Sequence, residues 1–141
     1  MLAAMRESEE RGVTDVVFGD LFLEDIRTYR ETQLAKVEMS AVFPLWRRPT
    51  ASLAREMIRA GLRAHLVCVD LRKLPREFAG RPFDLEFLKE LPPGVDPCGE
   101  NGEFHTFVSA GPMFNGEIAL TVGETVERDG FAYADLMPAD G

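Results

Sequence analysis

A chain of 141 residues with 45% apolar content is long enough for one packed domain or two small ones, and too apolar to remain disordered. Its 24 acidic against 16 basic side chains leave a formal charge of -8, which disfavours nucleic-acid backbone and anionic membrane as general partners. Two cysteines are too few for an extracellular disulfide framework, so a reducing cytoplasm is the expected setting.

Met1 to Glu10 has neither a basic head before a long apolar block nor a small-residue cleavage site, and does not read as a signal peptide. No apolar run is long enough to span a bilayer. Residues 2–11 carry the spacing of an amphipathic helix closed by Gly12. Thr14 to Phe18 is a short apolar strand. Gly19-Asp20 then turns the chain into a helix from Phe22 to Glu38, with Phe22, Ile26, Tyr29, Gln33 and Val37 at helical spacing. Ser40 to Phe43 is a second strand, so a parallel pair with a crossover helix is predicted. Pro44 and Pro49 break the pattern around Trp46, which places a junction between residues 1–45 and 46–141.

Beyond the junction a helix is predicted from Ala51 to Ala60, with Thr50 as N-cap, Gly61 as C-cap, and Leu53, Met57 and Ile58 facing inward. Arg63 to Asp70 is a strand whose apolar centre buries Cys68 as a free thiol. From Leu71 to Pro97, prolines surround one helical segment, Asp84 to Leu91, in a wrap-around connection. Strands follow at 104–108, 117–122 and 125–128, and Asp129-Gly130 is a hairpin turn into Phe131 to Leu136. The fold class is therefore α/β at first, then a smaller α+β domain ending in an antiparallel hairpin. A parallel sheet of the strands at 14–18 and 40–43, with at most 63–70 added, is small, as if further N-terminal strands were missing.

The chemistry concentrates in Cys98-Gly99-Glu100-Asn101-Gly102-Glu103-Phe104-His105-Thr106. Two glycines let backbone approach a ligand, and Phe104, Thr106 and Val108 alternate with His105 and Phe107 as in a strand. Glu100 and Glu103 are thus expected on a turn at the strand's mouth, reachable from solvent. Oxygen ligands of this kind suit a hard cation, and the plain alternative is a solvated acidic turn. His105 reads equally as a general base or as an edge residue of the strand, and Thr106 as a substrate-positioning hydroxyl or a simple strand residue. A zinc site from Cys98, Glu100, Glu103 and His105 matches no zinc spacing, so no metal ligand is assigned. Asp20, between strand and helix, stands where α/β sheets place ligand groups, or caps the helix. Arg48 is a candidate partner for an anionic group, and Trp46 for covering a domain junction.

These residues resemble a known family, the diphthine–ammonia ligase-like ATP-binding proteins of the PP-loop group of adenine-nucleotide α-hydrolase folds. The matching stretches are Val17-Phe18-Gly19-Asp20, Tyr29-Arg30, Pro44-Leu45-Trp46, Arg55-Glu56-Met57-Ile58, Cys98 to Phe107, and Gly111-Pro112-Met113-Phe114. The resemblance implies that residues 1–45 are the remnant of a Rossmann-like, nucleotide-binding sheet and that 46–141 form a substrate-side domain carrying the glutamate loop. It implies ATP and Mg2+ as cofactors, and as substrates ammonia and a carboxylate on a small molecule or modified residue, joined as an amide by way of an adenylate. It also implies Glu100, Glu103, His105 and Thr106 as catalytic, and Asp20, Arg48, Gly99, Asn101 and Gly102 as substrate- or cofactor-binding. The family's Ser-Gly-Gly-Lys-Asp-Ser phosphate loop has no counterpart among the 141 residues, which contain no Gly-Gly pair. The expectation is a truncated, C-terminal portion, inactive alone, whose exposed core face favours homo-oligomers. The competing reading is a non-catalytic nucleotide-sensing or partner-binding module of the same fold.

Overall fold

The computed structural model describes residues 1–139, two short of the end of the expected 46–141 domain. The chain divides into two compact units, Met1–Arg48 and Pro49–Gly141.

In the first unit, α1 (Leu2–Glu10) stops at Arg11. Gly12 takes φ 82°, so its N–H reaches Glu9 O and that of Val13 reaches Ser8 O, which closes the helix end. β1 (Asp15–Val17) and β2 (Ser40–Val42) pair in parallel, with Val17 opposite Val42, and α2 (Glu24–Ala35) makes the crossover. The predicted helix from Phe22 to Glu38 is trimmed at both ends, because Leu23 is extended and Glu38 takes φ 53°. Asp20 is not its cap; Leu23 occupies that position. Leu34, Val37 and Met39 form the core, with Leu2, Met5, Val16, Phe18 and Ala41 packed against it.

The second unit begins with α3 (Thr50–Arg59). Thr50 is its first helical residue rather than its N-cap; Pro49, whose ring fixes φ near -59°, holds the cap position and makes no side-chain bond there. Gly61 lies one residue past the C-cap Ala60 with φ 96°, and Leu62 N–H reaches back to Met57 O at 3.1 Å. The turn delivers β3 (Arg63–Asp70), which lies inside an antiparallel sheet of order β4-β3-β6-β5, built with β4 (Phe104–Ala110), β5 (Leu120–Arg128) and β6 (Phe131–Pro138). The strand at 63–70, left open as an addition to the parallel pair, thus belongs to the antiparallel sheet. Its apolar run reflects a central strand, with Leu66 and Val69 both fully buried across an irregularity in the β3–β4 register between Leu66 and Cys68.

The strands expected at 117–122 and 125–128 are one strand, β5, starting at Leu120. Gly123 marks an irregularity in the β5–β6 register, not a turn: a Cβ there would come within 3.0 Å of the Met137 methyl group. Asp129 and Gly130 both take positive φ, 53° and 82°, as a tight hairpin turn requires. The wrap-around segment lines the core with Leu74, Phe78, Phe83 and Phe87. It also pairs with β3, through Gly80 N–H to Leu66 O (2.7 Å), Leu66 N–H to Arg81 O (2.9 Å) and Phe83 N–H to Ala64 O (2.8 Å). Within it α4 (Leu85–Glu90) is capped by Asp84, which accepts from Phe87 N–H at 2.8 Å. Among the described residues, no helix is long and apolar enough to cross a membrane.

Candidate functional site

The loop from Asp96 to Glu103 is organised by two carboxylates that turn inward. Glu103 is fully buried. Its Oε1 accepts from the Asp96 N–H at 3.1 Å, with the Asn101 side-chain amide at 3.4 Å, and its Oε2 accepts from the Asn101 N–H at 3.0 Å. Asp96 Oδ2 accepts from the N–H groups of Cys98 and Glu100, each at 3.1 Å. Four backbone donors of one tight bend are therefore satisfied by two side chains, and the bend needs no further secondary structure. The expectation that Glu103 is open to solvent is corrected. A buried carboxylate persists only where donors surround it, and the loop's own amides supply them.

Glycines permit the bend's curvature. Gly99 takes φ 65°, and a Cβ on it would stand 2.8 Å from Phe104 O; Gly102 takes φ 77° in open space. Where the loop enters β4, Glu103 O accepts from Asp70 N–H at 2.9 Å, which ties it to the sheet. Cys98 directs its thiol at Thr50 O, 3.4 Å away. Burial first, then the charges of Asp96 and Glu100, push that thiol up to about 11, so it stays protonated at neutral pH.

The predicted residues fall into three groups. Gly99, Glu100, Asn101, Gly102 and Glu103 share the bend; Glu100 is half-buried and Asn101 exposed. His105 and Thr106 follow on β4, both exposed, opposite Cys68 and Leu66 of β3. Asp20 and Arg48 belong to the first unit. Asp20 is bound by Arg30, whose Nε stands 2.6 Å from Oδ2 and whose guanidinium lies 4.4 Å over the Phe18 ring. Arg48 is half-buried, with its N–H donating to Leu45 O. Asp96 joins the site from outside the Cys98–Thr106 stretch and is absent from the sequence candidates. Among the described residues no three His, Cys, Asp or Glu side chains gather as metal ligands.

The sequence model of the diphthamide synthase C-terminal domain matches residues 49–135, which contain the loop, β3 to β5 and most of β6. Diphthine–ammonia ligase of Danio rerio is 35% identical over 133 residues, covering 91% of this chain and 52% of that protein. The Homo sapiens ligase is 30% identical over 143 residues, with 96% and 52% covered. The ligase of Schizosaccharomyces pombe is 32% identical over 115 residues, with 73% and 18% covered. The chain spans about half the length of the vertebrate relatives it matches. With a family domain matched over more than half its residues, the chain belongs to the diphthine–ammonia ligase-like family and carries that family's C-terminal domain.

Proposed function

We propose that this chain supplies the acceptor side of an ATP-dependent, amide-forming ligase. In this reading the bend and strand end that carry Glu100, Asn101, His105 and Thr106 shape the acceptor side, where ammonia meets a carboxylate carried on a small molecule or a modified residue. The observation that carries it is the division of labour in the loop. Asp96 and Glu103 are consumed in holding the backbone, and Asn101, His105 and Thr106 are left exposed at a rigidly anchored strand end. Glu103 therefore acts by positioning, as do Gly99 and Gly102. Arg48 is proposed to meet an anionic group, and Asp20 to fix Arg30 for the same purpose.

Ammonia that attacks the carbonyl carbon of an adenylated carboxylate forms the C–N bond as the C–O bond to AMP breaks, and its nitrogen must shed a proton as the amide forms. His105 is an exposed imidazole available to take it, and the Asn101 amide can bind a carboxyl oxygen; Thr106, the next residue of β4, faces the other side of the strand and is assigned only to shaping the strand end. Nucleotide phosphates do not fit the residues present. No Gly-Gly pair occurs, and the first turn of α2, the helix that follows β1, carries Glu24 and Asp25, whose charges oppose an anion there. Phosphate handling is accordingly assigned to residues outside these 141, and the chain alone is expected not to turn over ATP. The absent phosphate loop also favours a second reading, a partner-binding module without turnover.

Joining this chain to the complementary part of the zebrafish ligase tests the proposal. Ammonia-dependent AMP release should appear in the fusion and be absent from the chain alone. His105→Ala should lower it by about 10²–10⁴-fold if the imidazole is the base. A folded fusion without activity, or one indifferent to His105 and Asn101, would leave only the binding module.

A further inference from the structure

α3 and α4 present a basic cleft unrelated to the glutamate loop. Arg55 and Arg59, both exposed, stand four residues apart on one side of α3; with Lys89, Leu85 and Leu88 of α4 they line a cleft of about 300 Å³. Leu85 is 37% exposed, a large apolar side chain that lines the same cleft as these cations. Lys89 pairs with Glu86 at 2.8 Å, but neither arginine makes a salt bridge or a side-chain hydrogen bond among the described residues. Two cations at this spacing repel each other on a helix. The helix C-terminus offsets the charge of Arg59, in the last turn, but not that of Arg55, a turn earlier. In a chain of charge -8 these arginines remain without counter-charge.

We propose that this cleft docks a short acidic segment of a partner protein, with an apolar side chain seated on Leu85 and Leu88 and carboxylates meeting Arg55 and Arg59. Charge complementarity selects the occupant. Guanidinium groups bind carboxylates in paired hydrogen bonds, and the apolar lining rewards a side chain that a bare anion lacks. A polyanion extended along the surface would lie within roughly 10 Å of the chain's excess acidic side chains, where their repulsion is not screened, which disfavours nucleic acid and favours a short segment.

Fluorescence anisotropy of a dye-labelled peptide of repeating glutamate-glutamate-leucine, titrated with the full chain, tests the assignment. Saturable, salt-sensitive binding is expected, weakened about tenfold or more in the double variant R55A/R59A and in Leu85→Ser. All three positions are exposed, and unchanged melting temperatures would verify that the variants fold. Equal binding by the double variant would overturn the proposal, as would equal affinity for leucine-free polyglutamate. So would full competition by inorganic phosphate, or tighter binding of a single-stranded RNA, each of which assigns the cleft a different ligand.

Discussion

Glu103 is the side chain on which the loop depends, because both of its oxygens accept from backbone N–H groups. Glu103→Gln keeps the shape but points an NH2 group at one of those donors. Leaving a buried donor unpaired costs about 1–3 kcal/mol, so the urea midpoint should fall accordingly; an unchanged midpoint would remove Glu103 from this role. Cys98 gives a second test. With its thiol pushed up to about 11, alkylation by iodoacetamide should be slow at pH 7 and accelerate only in strongly alkaline buffer. Asp70 gives a third. The Arg72 guanidinium, then the Arg72 N–H, holds its carboxyl below the ordinary 3.8. The folded value lies under the unfolded one, so this contribution is present above pH 3.8 and is lost as pH falls through the folded value. Asp70→Asn should therefore flatten the acid limb of the stability curve below about pH 4, which melting curves across that range would reveal. The burial of Glu103 is not legible in the sequence, since glutamate is nearly always exposed and one of its partners lies seven residues upstream, at Asp96. Asp96 itself carries a signal: an aspartate before Pro-Cys-Gly is a turn initiator whose oxygen reaches the N–H two residues on.

At the scale of elements, sequence punctuation locates ends better than it names their roles. Gly12, Gly61 and Gly130 read as terminators or turns, and each takes positive φ there. Thr50 reads as a cap because its hydroxyl suits one, but the proline before it already sets the first turn; Asp84, which reads only as the start of a helix, makes the actual cap. The pairing of β3 is not legible, because a continuous apolar run is common to parallel strands and to the centre of an antiparallel sheet. The loop's two glycines separate conformation from space. Both take positive φ, but only Gly99 has Phe104 in the way of a Cβ, with the carbonyl oxygen at 2.8 Å and the ring at 3.1 Å. Gly102→Ala should cost about 1–2 kcal/mol from backbone strain alone. Gly99→Ala should cost more and also move the strand entry at Phe104, visible as shifted amide resonances along β4. Equal effects of the two changes would mean that the contact with Phe104 is unimportant.

The two units differ in how much surface they bury, and this sets how each should respond to stress. In Pro49–Gly141 a ten-residue core runs from Ala54 to Ala132, with aromatic pairs such as Phe87–Phe104 at 5.3 Å. In Met1–Arg48 the buried core cluster is Leu34, Val37 and Met39, and the parallel pair leaves Val17 66% and Val42 41% exposed. Parallel strands are ordinarily covered on both faces, and a two-stranded sheet buries too little to stand on its own. Local opening free energies range from near zero up to the global value, and a small core lies at the low end. Hydrogen exchange should therefore show the amides of β1 and β2 exchanging at least about 100-fold faster than those of Leu66 and Val69 in β3. A polypeptide of residues 49–139 should keep one cooperative melting transition, while residues 1–48 alone should give none. Equal protection in the two sheets would show that the exposed valines cost the first unit nothing, and would withdraw the reading of β1 and β2 as part of a larger sheet.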